Sequence, residues 1–387
     1  MSELGNKLVT SLIRDYYSNI NINDIAPDKI EQREFGFGII GNKIAGRHYS
    51  FRDAEQLKEY LVSNAPAFVD YSAAYYREPS ARPMERKGWL GSELRFDLDA
   101  SDPKYDCKIH SKDWLCDERL EAVKRDTLLL IEDFLIGDFG FSEKEIKINF
   151  SGNRGYHVHI TSDSVLQLDA DAREELCSYI KPLKISSLSI FPDLSSKRKK
   201  SQFSGPKPSD NGWYGKIAKA FIEKLGSPKS LTELGIEERI AKKLSKEKEL
   251  VEMGIRNCIW GITGIPMKDI YWNKVIEKIV WEKSVYIDAN VTKDPSHLMR
   301  LAGTIHGGSG LVAKKLSNGI RELEKFDPMK DAIAFADSPL GISAKTPYAL
   351  RMGDSTFGPY NGERAEVPIY VGVYLYLKGF ADIISNQ

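Results

Sequence analysis

The sequence predicts an α/β (α+β) fold, with a mixed sheet flanked by helices and an inserted helical subdomain. Three observations predict it. Several segments alternate apolar and polar residues as strands do, residues 93–102 (ELRFDLDASD) among them. Other segments carry apolar residues at helical spacing. From about residue 164 to residue 253 the strand pattern fades, and helical spacing remains.

The first part of the chain predicts both kinds of element. Residues 4–20 have apolar side chains at helical spacing and predict an opening helix. Residues 33–51 predict a β-hairpin that turns at Gly41-Asn42, and residues 54–63 a second helix. A helix is predicted over 117–135, followed by strands over 145–150 and 157–160.

The last part of the chain is predicted less completely. Residues 284–288 have strand character, and Pro295 suits a first helical turn, so a short helix over 295–301 would carry His297 and Arg300 on adjacent turns. Residues 369–377 fit either a strand or a helix that begins at Pro368, and periodicity does not decide between them. A basic run over 197–200 is typical of a solvated loop more often than of a nucleic-acid contact.

Composition limits the functions to consider. The 387 residues are 42% hydrophobic and 28% charged, as in a globular protein. Lys+Arg and Asp+Glu both total 55, so general electrostatic attraction to nucleic acid is not expected, and any such contact needs a local patch or a partner. Four cysteines argue against a disulfide scaffold. The N-terminus lacks the layout of a signal peptide and no apolar run is long enough to span a membrane, so we expect a cytoplasmic protein.

Asp97 and Asp99 are the first candidate site residues. On a strand they point the same way, with Leu98 opposite. Two carboxylates on one face repel each other, and a divalent cation such as Mg²⁺ or Mn²⁺ relieves that repulsion. Alone, an Asp-x-Asp is a weak signal, because many such pairs lie on solvated strand edges.

Two further segments add to this pair. Residues 151–157 (SGNRGYH) form a glycine-rich turn that brings backbone close to a ligand, although without other information a plain hairpin turn is the better interpretation. Residues 288–307 contain Asp288, His297, Arg300 and His306. Taken singly, Asp288 would most often cap a turn and each histidine would be a structural one.

Together these segments resemble the catalytic (small) subunit of the archaeal and eukaryotic type of DNA primase, and archaeal members most closely. The resemblance also includes residues 33–37 (REFGF), 47–51 (RHYSF), 68–79 and 139–141 (FGF), in the same order along the chain. It covers most of residues 4–160 and 255–312. It implies a catalytic primase domain formed by residues 1–163 and 254–387, with residues 164–253 as a helical subdomain insertion.

The resemblance implies a role for each candidate residue. Asp97, Asp99 and Asp288 would be the catalytic carboxylates that bind two Mg²⁺ or Mn²⁺ ions for nucleotidyl transfer. The residues implied to bind nucleotide are Ser151, Arg154, His157, Arg300, His306, Arg47 and Glu34. A hydroxyl, a guanidinium and an imidazole beside close backbone amides are the chemistry of a phosphate-binding turn.

Two positions depart from the family pattern. Family members usually have a lysine where this chain has Gly308, and Lys314 or Lys315 is the nearest replacement in sequence. Archaeal members also carry a zinc knuckle, which corresponds to the loop 103–119. Here Cys107, His110 and Cys116 are present, but Arg119 replaces the last cysteine. Either Asp117 completes a structural Zn²⁺ site, or the zinc is lost and packing holds the loop.

The resemblance implies a DNA-directed RNA polymerase that makes short primers on single-stranded DNA during replication, in a primosome and near the nucleoid. It implies nucleoside triphosphates as substrates and a heterodimer with a large primase subunit. A gap-filling polymerase of the end-joining type is the first alternative, and activity without a primer distinguishes the two. A metal-dependent glycosyltransferase built on the Asp-x-Asp is the second, and it leaves the glycine-rich turn and Asp288 unexplained.

Overall fold

The structure, a computed structural model, describes residues 2–111, 114–195 and 203–384. The predicted basic loop 197–200 lies outside these residues. The helices are α1 (Glu3–Asn19), α2 (Ala54–Asn64), α3 (Asp117–Leu129), α4 (Ala170–Ile180), α5 (Ser187–Ile190), α6 (Gly212–Lys224), α7 (Pro228–Glu233), α8 (Glu238–Lys246), α9 (Lys248–Arg256), α10 (Asp269–Lys283), α11 (Ala289–Lys293), α12 (Ile320–Lys325), α13 (Pro328–Asp331) and α14 (Ile369–Leu377). A π-helical segment, Leu130–Ile136, follows α3.

The strands are β1 (Phe35–Ile39), β2 (Asn42–Tyr49), β3 (Phe68–Ser72), β4 (Ala74–Tyr76), β5 (Trp89–Ser92), β6 (Leu94–Asp99), β7 (Ile146–Phe150), β8 (Gly155–Ile160), β9 (Leu298–Arg300), β10 (Lys314–Leu316), β11 (Pro339–Lys345), β12 (Leu350–Met352), β13 (Ser355–Phe357), β14 (Asn361–Pro368) and β15 (Ala381–Ile383). The predicted α/β (α+β) class is confirmed. Within the described residues all strand pairs are antiparallel, so the sheets are antiparallel rather than mixed as predicted.

The chain divides into two compact units. The first consists of residues 1–131, 141–175 and 286–387, and contains the sheets. The second consists of residues 132–140 and 176–285. Residues 164–175 of the predicted insertion belong to the first unit, and residues 254–285 belong to the second. In the second unit, Trp272 of α10 packs in one aromatic cluster with Phe191, Phe203, Phe221 and Trp260.

The core of the first unit lies between its opening helices and the sheet of order β2-β1-β3-β9. Of the residues whose spacing predicted α1, Ile13 is fully buried, together with Val9 and Tyr17. The others, Leu8, Leu12 and Tyr16, are partly buried and pack against the same core. Tyr376 of α14 belongs to the same core. Residues 369–377, which fitted either element, form the helix that begins after Pro368.

A second sheet has the order β10-β7-β8-β6. Its register pairs Asp97 with His157, and His157 with Asn149, so these three side chains share a face. The neighbouring pair Leu98 and Tyr156 points to the opposite face and is fully buried. One face of this sheet is thus apolar core, and the other carries polar groups.

Two predicted elements near residue 290 are wrong. Residues 284–287 form no strand, and Asp288 instead caps the short helix α11. Residues 295–301 form no helix, since β9 pairs with β3 in the register Asp70↔Arg300. Pro295 lies in a turn in which the Asp294 carboxylate accepts a hydrogen bond from the Ser296 N–H. The open edge of β3 then pairs with Leu298–Arg300 as a strand.

Candidate active site

Three carboxylates converge at the end of β6. Asp97 and Asp99 lie on one face of that strand, with 29% and 42% of their side chains exposed. The backbone N–H of Asp288 donates to the backbone carbonyl of Asp97 at 3.0 Å. Burial has the largest effect on the pKa of Asp97 and, together with the Asp99 and Asp288 carboxylates, raises it to about 7. The structure therefore brings the three predicted aspartates together in mutual repulsion, which is the setting that a divalent cation relieves.

Each flanking carboxylate keeps one oxygen for a ligand. Asp288 Oδ1 accepts from the Asn290 N–H at 3.0 Å, so the residue is a helix cap as well as a member of this group. Asp99 Oδ1 accepts from Arg154 Nε and from the Ser101 N–H, both at 2.7 Å. Within the described residues, Oδ2 of Asp99 and Oδ2 of Asp288 accept no hydrogen bond. The oxygen-rich donor set fits Mg²⁺ or Mn²⁺.

The turn between β7 and β8 is organised by Ser151. Its Oγ accepts from the backbone N–H groups of Asn153 and Gly155, at 3.3 and 3.2 Å. Because the lone pairs of the hydroxyl are occupied in this way, its proton remains for donation to a ligand. The backbone carbonyl of Arg154 accepts from the Ala100 N–H at 3.0 Å, which holds the turn against the end of β6.

Two arginines offer donors at this site. Arg154 binds Asp99 through Nε, and within the described residues its two terminal nitrogens make no hydrogen bond. Arg300 is buried in β9, and its Nε and Nη1 have no hydrogen-bond partner, although Nη1 lies 3.4 Å from Asp70 Oδ1. Buried guanidinium donors without partners are costly, and an anionic ligand would satisfy them.

Two buried histidines complete this set. Burial is the main reason that the pKa of His157 lies well below its usual value, and the His159 ring lowers it further. Burial, together with Arg300, likewise holds the pKa of His306 well below its usual value. His306 Nδ1 accepts from the Gly308 N–H at 3.1 Å, so a neutral His306 carries its proton on Nε2. His157 Nε2 lies 3.6 Å from Asp97 Oδ1. Both rings are neutral hydrogen-bonding groups at pH 7.

Glu34 and Arg47, also predicted to bind nucleotide, lie together. Glu34 is fully buried at the start of β1, and its Oε1 accepts from Arg47 Nε at 2.9 Å. Lys87 Nζ approaches Glu34 Oε2 at 3.3 Å. Arg47 also donates to the backbone carbonyl of Ser296, two residues before β9 begins at Leu298. Glu34 thus orients Arg47 from beneath.

A second candidate metal site lies in the loop before α3. Ligand atoms of Cys107, His110, Cys116 and Glu118 all lie within 4.8 Å of one another. Cys107 Sγ is 3.3 Å from His110 Nδ1 and 2.8 Å from Glu118 Oε2. Two sulfurs, one imidazole nitrogen and one carboxylate oxygen are a donor set that zinc accepts.

Asp117, the predicted fourth zinc ligand, does not belong to this cluster. Its carboxylate forms a bidentate pair with Arg351, at 2.7 and 2.8 Å, and Glu118 takes its place in the cluster. Arg119, where the family pattern has a cysteine, donates to the backbone carbonyls of Ser111 and Trp114. Its guanidinium therefore fixes the loop from inside.

Comparison with known proteins identifies the family. The sequence profile described as DNA primase small subunit matches residues 96–317, which begin in β6 and end just after β10. The chain belongs to the DNA primase small-subunit family. It is 36% identical to the DNA primase small subunit of Methanothrix thermoacetophila, over 96% of each chain. The protein of the same name from Methanosarcina acetivorans is 32% identical, over 99% of this chain and 97% of the other. That from Archaeoglobus fulgidus is 32% identical, over 96% of each.

Membership of the primase family confirms the resemblance found in the sequence. It makes this chain a DNA primase, a nucleotidyltransferase of the DNA-directed RNA polymerase type. The glycosyltransferase alternative is left without support. No helix in the described residues combines the length and apolar character needed to cross a membrane.

One lysine, Lys378, lies beside the Ser151 turn, and the sequence did not reveal it. Lys314, a predicted replacement for the family lysine at Gly308, instead donates to the backbone carbonyl of Asp331. Lys315 borders a cleft at the outer edge of β7 with Lys147. Lys378, in contrast, donates to Asn153 Oδ1 in the Ser151 turn at 2.6 Å. No local pattern marks Lys378, because its position depends on the packing of α14.

Proposed function

We propose that this primase starts and extends short RNA primers on single-stranded DNA by nucleotidyl transfer at Asp97, Asp99 and Asp288. One observation carries the proposal. The Asp288 N–H to Asp97 carbonyl bond joins the third carboxylate to the strand that holds the other two, within reach of a set of phosphate-binding groups. Each of these side chains belongs to the first structural unit.

The three carboxylates fit two divalent cations. Mg²⁺ or Mn²⁺ held there would activate the primer 3′-hydroxyl and stabilise the charge on the leaving pyrophosphate. The chain itself supplies the oxygens that are free of hydrogen bonds on Asp99 and Asp288. Burial, together with the charge repulsion from Asp99 and Asp288, raises the pKa of Asp97 to about 7.

The surrounding donors bind and orient the triphosphate. The Ser151 hydroxyl donates its proton to a phosphate oxygen, and the terminal nitrogens of Arg154 form a fork that matches two such oxygens. Arg300 contributes its buried donors, and neutral His306 donates from Nε2. His157, adjacent to Asp97, contributes a neutral hydrogen-bonding ring to the same pocket.

Arg47 and Glu34 act as a unit at the edge of this pocket. Arg47 binds a nucleotide, and Glu34 holds the guanidinium in place from the buried side. The short distance from Arg47 to the Ser296 carbonyl supports this, because it brings the arginine next to the segment that leads into β9.

The loop cluster binds a structural zinc ion. Cys107, His110, Cys116 and Glu118 would hold Zn²⁺ and cross-link the loop to the start of α3. Burial raises the pKa of the Cys116 thiol, so the metal-free cluster keeps a neutral sulfur that zinc would convert to a thiolate. Less than half an equivalent of zinc in protein purified without chelator would refute this.

A large primase subunit is the proposed partner in a heterodimer. The relatives are named small subunits, and a chain with zero net charge has no general attraction to a DNA template. We further propose that the complex works in the cytoplasm at replicating DNA.

Primer synthesis on unprimed single-stranded DNA tests the function directly. The chain is incubated with Mg²⁺ or Mn²⁺ and with ribonucleotides or deoxyribonucleotides. The assay is run with the chain alone and with a large primase subunit from the organism of one of the matched relatives. New RNA oligonucleotides without any added primer are the expected result. Extension of pre-annealed primers only, in both metals and with the partner present, would instead favour the gap-filling polymerase.

A further inference from the structure

Family members usually have a lysine where this chain has Gly308. One part of the pocket therefore lacks a positive charge. A Cβ at Gly308 would lie 3.1 Å from the His306 ring, so this backbone borders the proposed nucleotide site directly. The segment 306–310 contains no other residue with a charged side chain. Any ammonium group at this place must therefore arrive from another element.

The last helix reaches the same place. A Cβ at Gly310 would lie 2.8 Å from Val373 Cγ1 and 3.5 Å from Leu377 Cδ1, so α14 packs directly on the segment 306–310. Ser309 Oγ in turn donates to the backbone carbonyl of Gly152. The glycine-rich turn, the segment 306–310 and the end of α14 thus form one packed junction.

Lys378 projects from α14 into this junction. It is the residue that ends the helix, and its Nζ donates to Asn153 Oδ1 at 2.6 Å. Asn153 lies between Gly152 and Arg154 in the turn. The ammonium is therefore beside the backbone that the proposed function assigns to the triphosphate.

The surroundings of Lys378 are predominantly cationic. Burial, together with Arg154 and Lys43, lowers the pKa of Lys378 to about 8, and Asp99 opposes this effect. Within the described residues the ammonium has a single hydrogen-bond acceptor, and that acceptor is a neutral amide oxygen. Three neighbouring cations, one of them the partly buried Lys378 ammonium with unused donors, are a costly arrangement that a polyanion would stabilise.

We propose that Lys378 binds the terminal phosphate of the incoming nucleoside triphosphate and takes the place of the lysine missing at Gly308. The proposal rests on the proposed function, because it assigns a further ligand group to the same site. Asn153 acts as a positioning residue that holds the Lys378 ammonium against the turn. The C-terminal helix of the chain thereby becomes part of the nucleotide pocket.

Equilibrium binding of a nucleoside tri-, di- and monophosphate to the full chain, in Mg²⁺, tests this proposal. The Lys378→Met variant keeps the apolar stem and removes the charge. A hydrogen bond from a charged donor contributes enough to binding that we expect triphosphate affinity to fall about tenfold to a hundredfold. Monophosphate affinity stays unchanged, and Lys378→Arg restores part of the loss.

The matched control is Lys345→Met, which changes an exposed lysine at the end of β11 and should leave all three affinities unaltered. Asn153→Ala gives a second measurement if Lys378→Met lowers the melting temperature, and it should reduce the triphosphate affinity several-fold. Equal losses for all three nucleotides, or a triphosphate affinity within twofold of wild type in both variants, would overturn the proposal.

The binding assay separates this proposal from the proposed function. A wild-type chain that binds triphosphate but makes no primers contradicts primer synthesis only. The triphosphate affinity of Lys378→Met then still decides the role of Lys378. A chain that makes primers with the same KM for nucleotide after Lys378→Met refutes the role of Lys378 alone.

Discussion

The backbone N–H of Asp288 donates a hydrogen bond to the backbone carbonyl of Asp97, with 3.0 Å between the two atoms. The bond connects residues that lie far apart in sequence and in different elements, β6 and the cap of α11. A backbone bond survives replacement of either side chain. The carboxylates can therefore be removed one at a time without separating the segments that carry them.

Replacing Asp97 by asparagine should abolish activity and stabilise the metal-free protein. We expect primer synthesis to fall by at least about a hundredfold, because one of the cation-binding carboxylates is lost. In the folded chain burial and two neighbouring carboxylates raise the pKa of Asp97 to about 7, whereas the unfolded value is about 4. Its ionisation therefore opposes folding progressively between about pH 4 and pH 7, and fully above that range.

Thermal and urea unfolding, both in the presence of a metal chelator, test the expected change in stability. At pH 8 Asp97→Asn should raise the free energy of unfolding by about 2–4 kcal/mol, because a change in pKa from about 4 to about 7 corresponds to about 4 kcal/mol and the partial exposure of the carboxylate reduces this value. Below about pH 4 the two proteins should be equally stable. Asp337→Asn is the control, since Asp337 is exposed and lies outside the site. Normal activity in Asp97→Asn, or lower stability than wild type at pH 8, would contradict the assigned site.

Zinc binding at the loop cluster should depend on Glu118 and not on the adjacent Asp117. We expect Glu118→Gln to lower zinc affinity by about tenfold or more, because an amide is a poorer ligand than a carboxylate. Asp117→Asn should leave the zinc content unchanged, since Asp117 binds Arg351. Metal analysis after dialysis against graded chelator measures both variants. Loss of zinc in Asp117→Asn with retention in Glu118→Gln would reverse the ligand assignment.

Local patterns predicted the parts of this fold that local forces determine. The alternation over 94–99 indicated β6, and the glycines at 152 and 155 indicated the turn between β7 and β8, because strand period and turn chemistry depend on near neighbours. The helix at 3–19 was predicted for the same reason, since its apolar spacing is the face that packs inside.

Long-range contacts determined the parts that the sequence did not reveal. Pro295 signals the start of a helix or a turn equally well, and the choice depends on the open edge of β3. Asp117 and Glu118 point about 100° apart on the same helical turn, so only the position of the loop decides which one faces Cys107. Lys378 reaches the site because α14 packs on Gly310, a contact with no local signal.

A buried ion network continues the polar face of the β6 sheet beyond the carboxylate end, since Arg95 lies on the same face of the strand as Asp97. Glu93 is buried between Arg33 and Arg95, and it also accepts from the Tyr75 hydroxyl at 2.9 Å. Burial alone would raise the pKa of Glu93, but Arg95 and Arg33 outweigh this effect and hold it well below its usual value. This ionised carboxylate is therefore part of the folded state at all pH values above the acidic range.

Glu93→Gln should lower the free energy of unfolding by about 3–5 kcal/mol at pH 7, because two buried guanidiniums lose their counter-charge. The difference from wild type should narrow below about pH 4, since a depressed carboxylate pKa contributes stability that is lost as the pH falls. Urea unfolding at both pH values measures this. Glu366→Gln, at an exposed strand position, should change stability by less than about 0.5 kcal/mol. A pH-independent loss would argue against the ionic cause.

Gly152 joins the Ser151 turn, the proposed phosphate-binding turn, to the segment that carries His306. Its φ of +83° is a conformation that glycine adopts readily. A Cβ there would lie 2.8 Å from His306 Cβ and 2.9 Å from the backbone nitrogen of Ala313. Any larger residue must therefore push the turn and this segment apart.

Gly152→Ala should cost stability and nucleotide binding together. The matched control is Gly140→Ala, which has a similar φ of +75° and nothing within 4 Å of the added Cβ. The control carries only the cost of the left-handed conformation, about 1 kcal/mol. Gly152→Ala adds a steric clash of about 1–3 kcal/mol, and we expect it alone to weaken triphosphate binding, because Ser151 and Arg154 move with the turn. Urea unfolding and nucleotide titration measure the two effects, and equal losses in both variants would mean that the turn and the His306 segment are not closely packed.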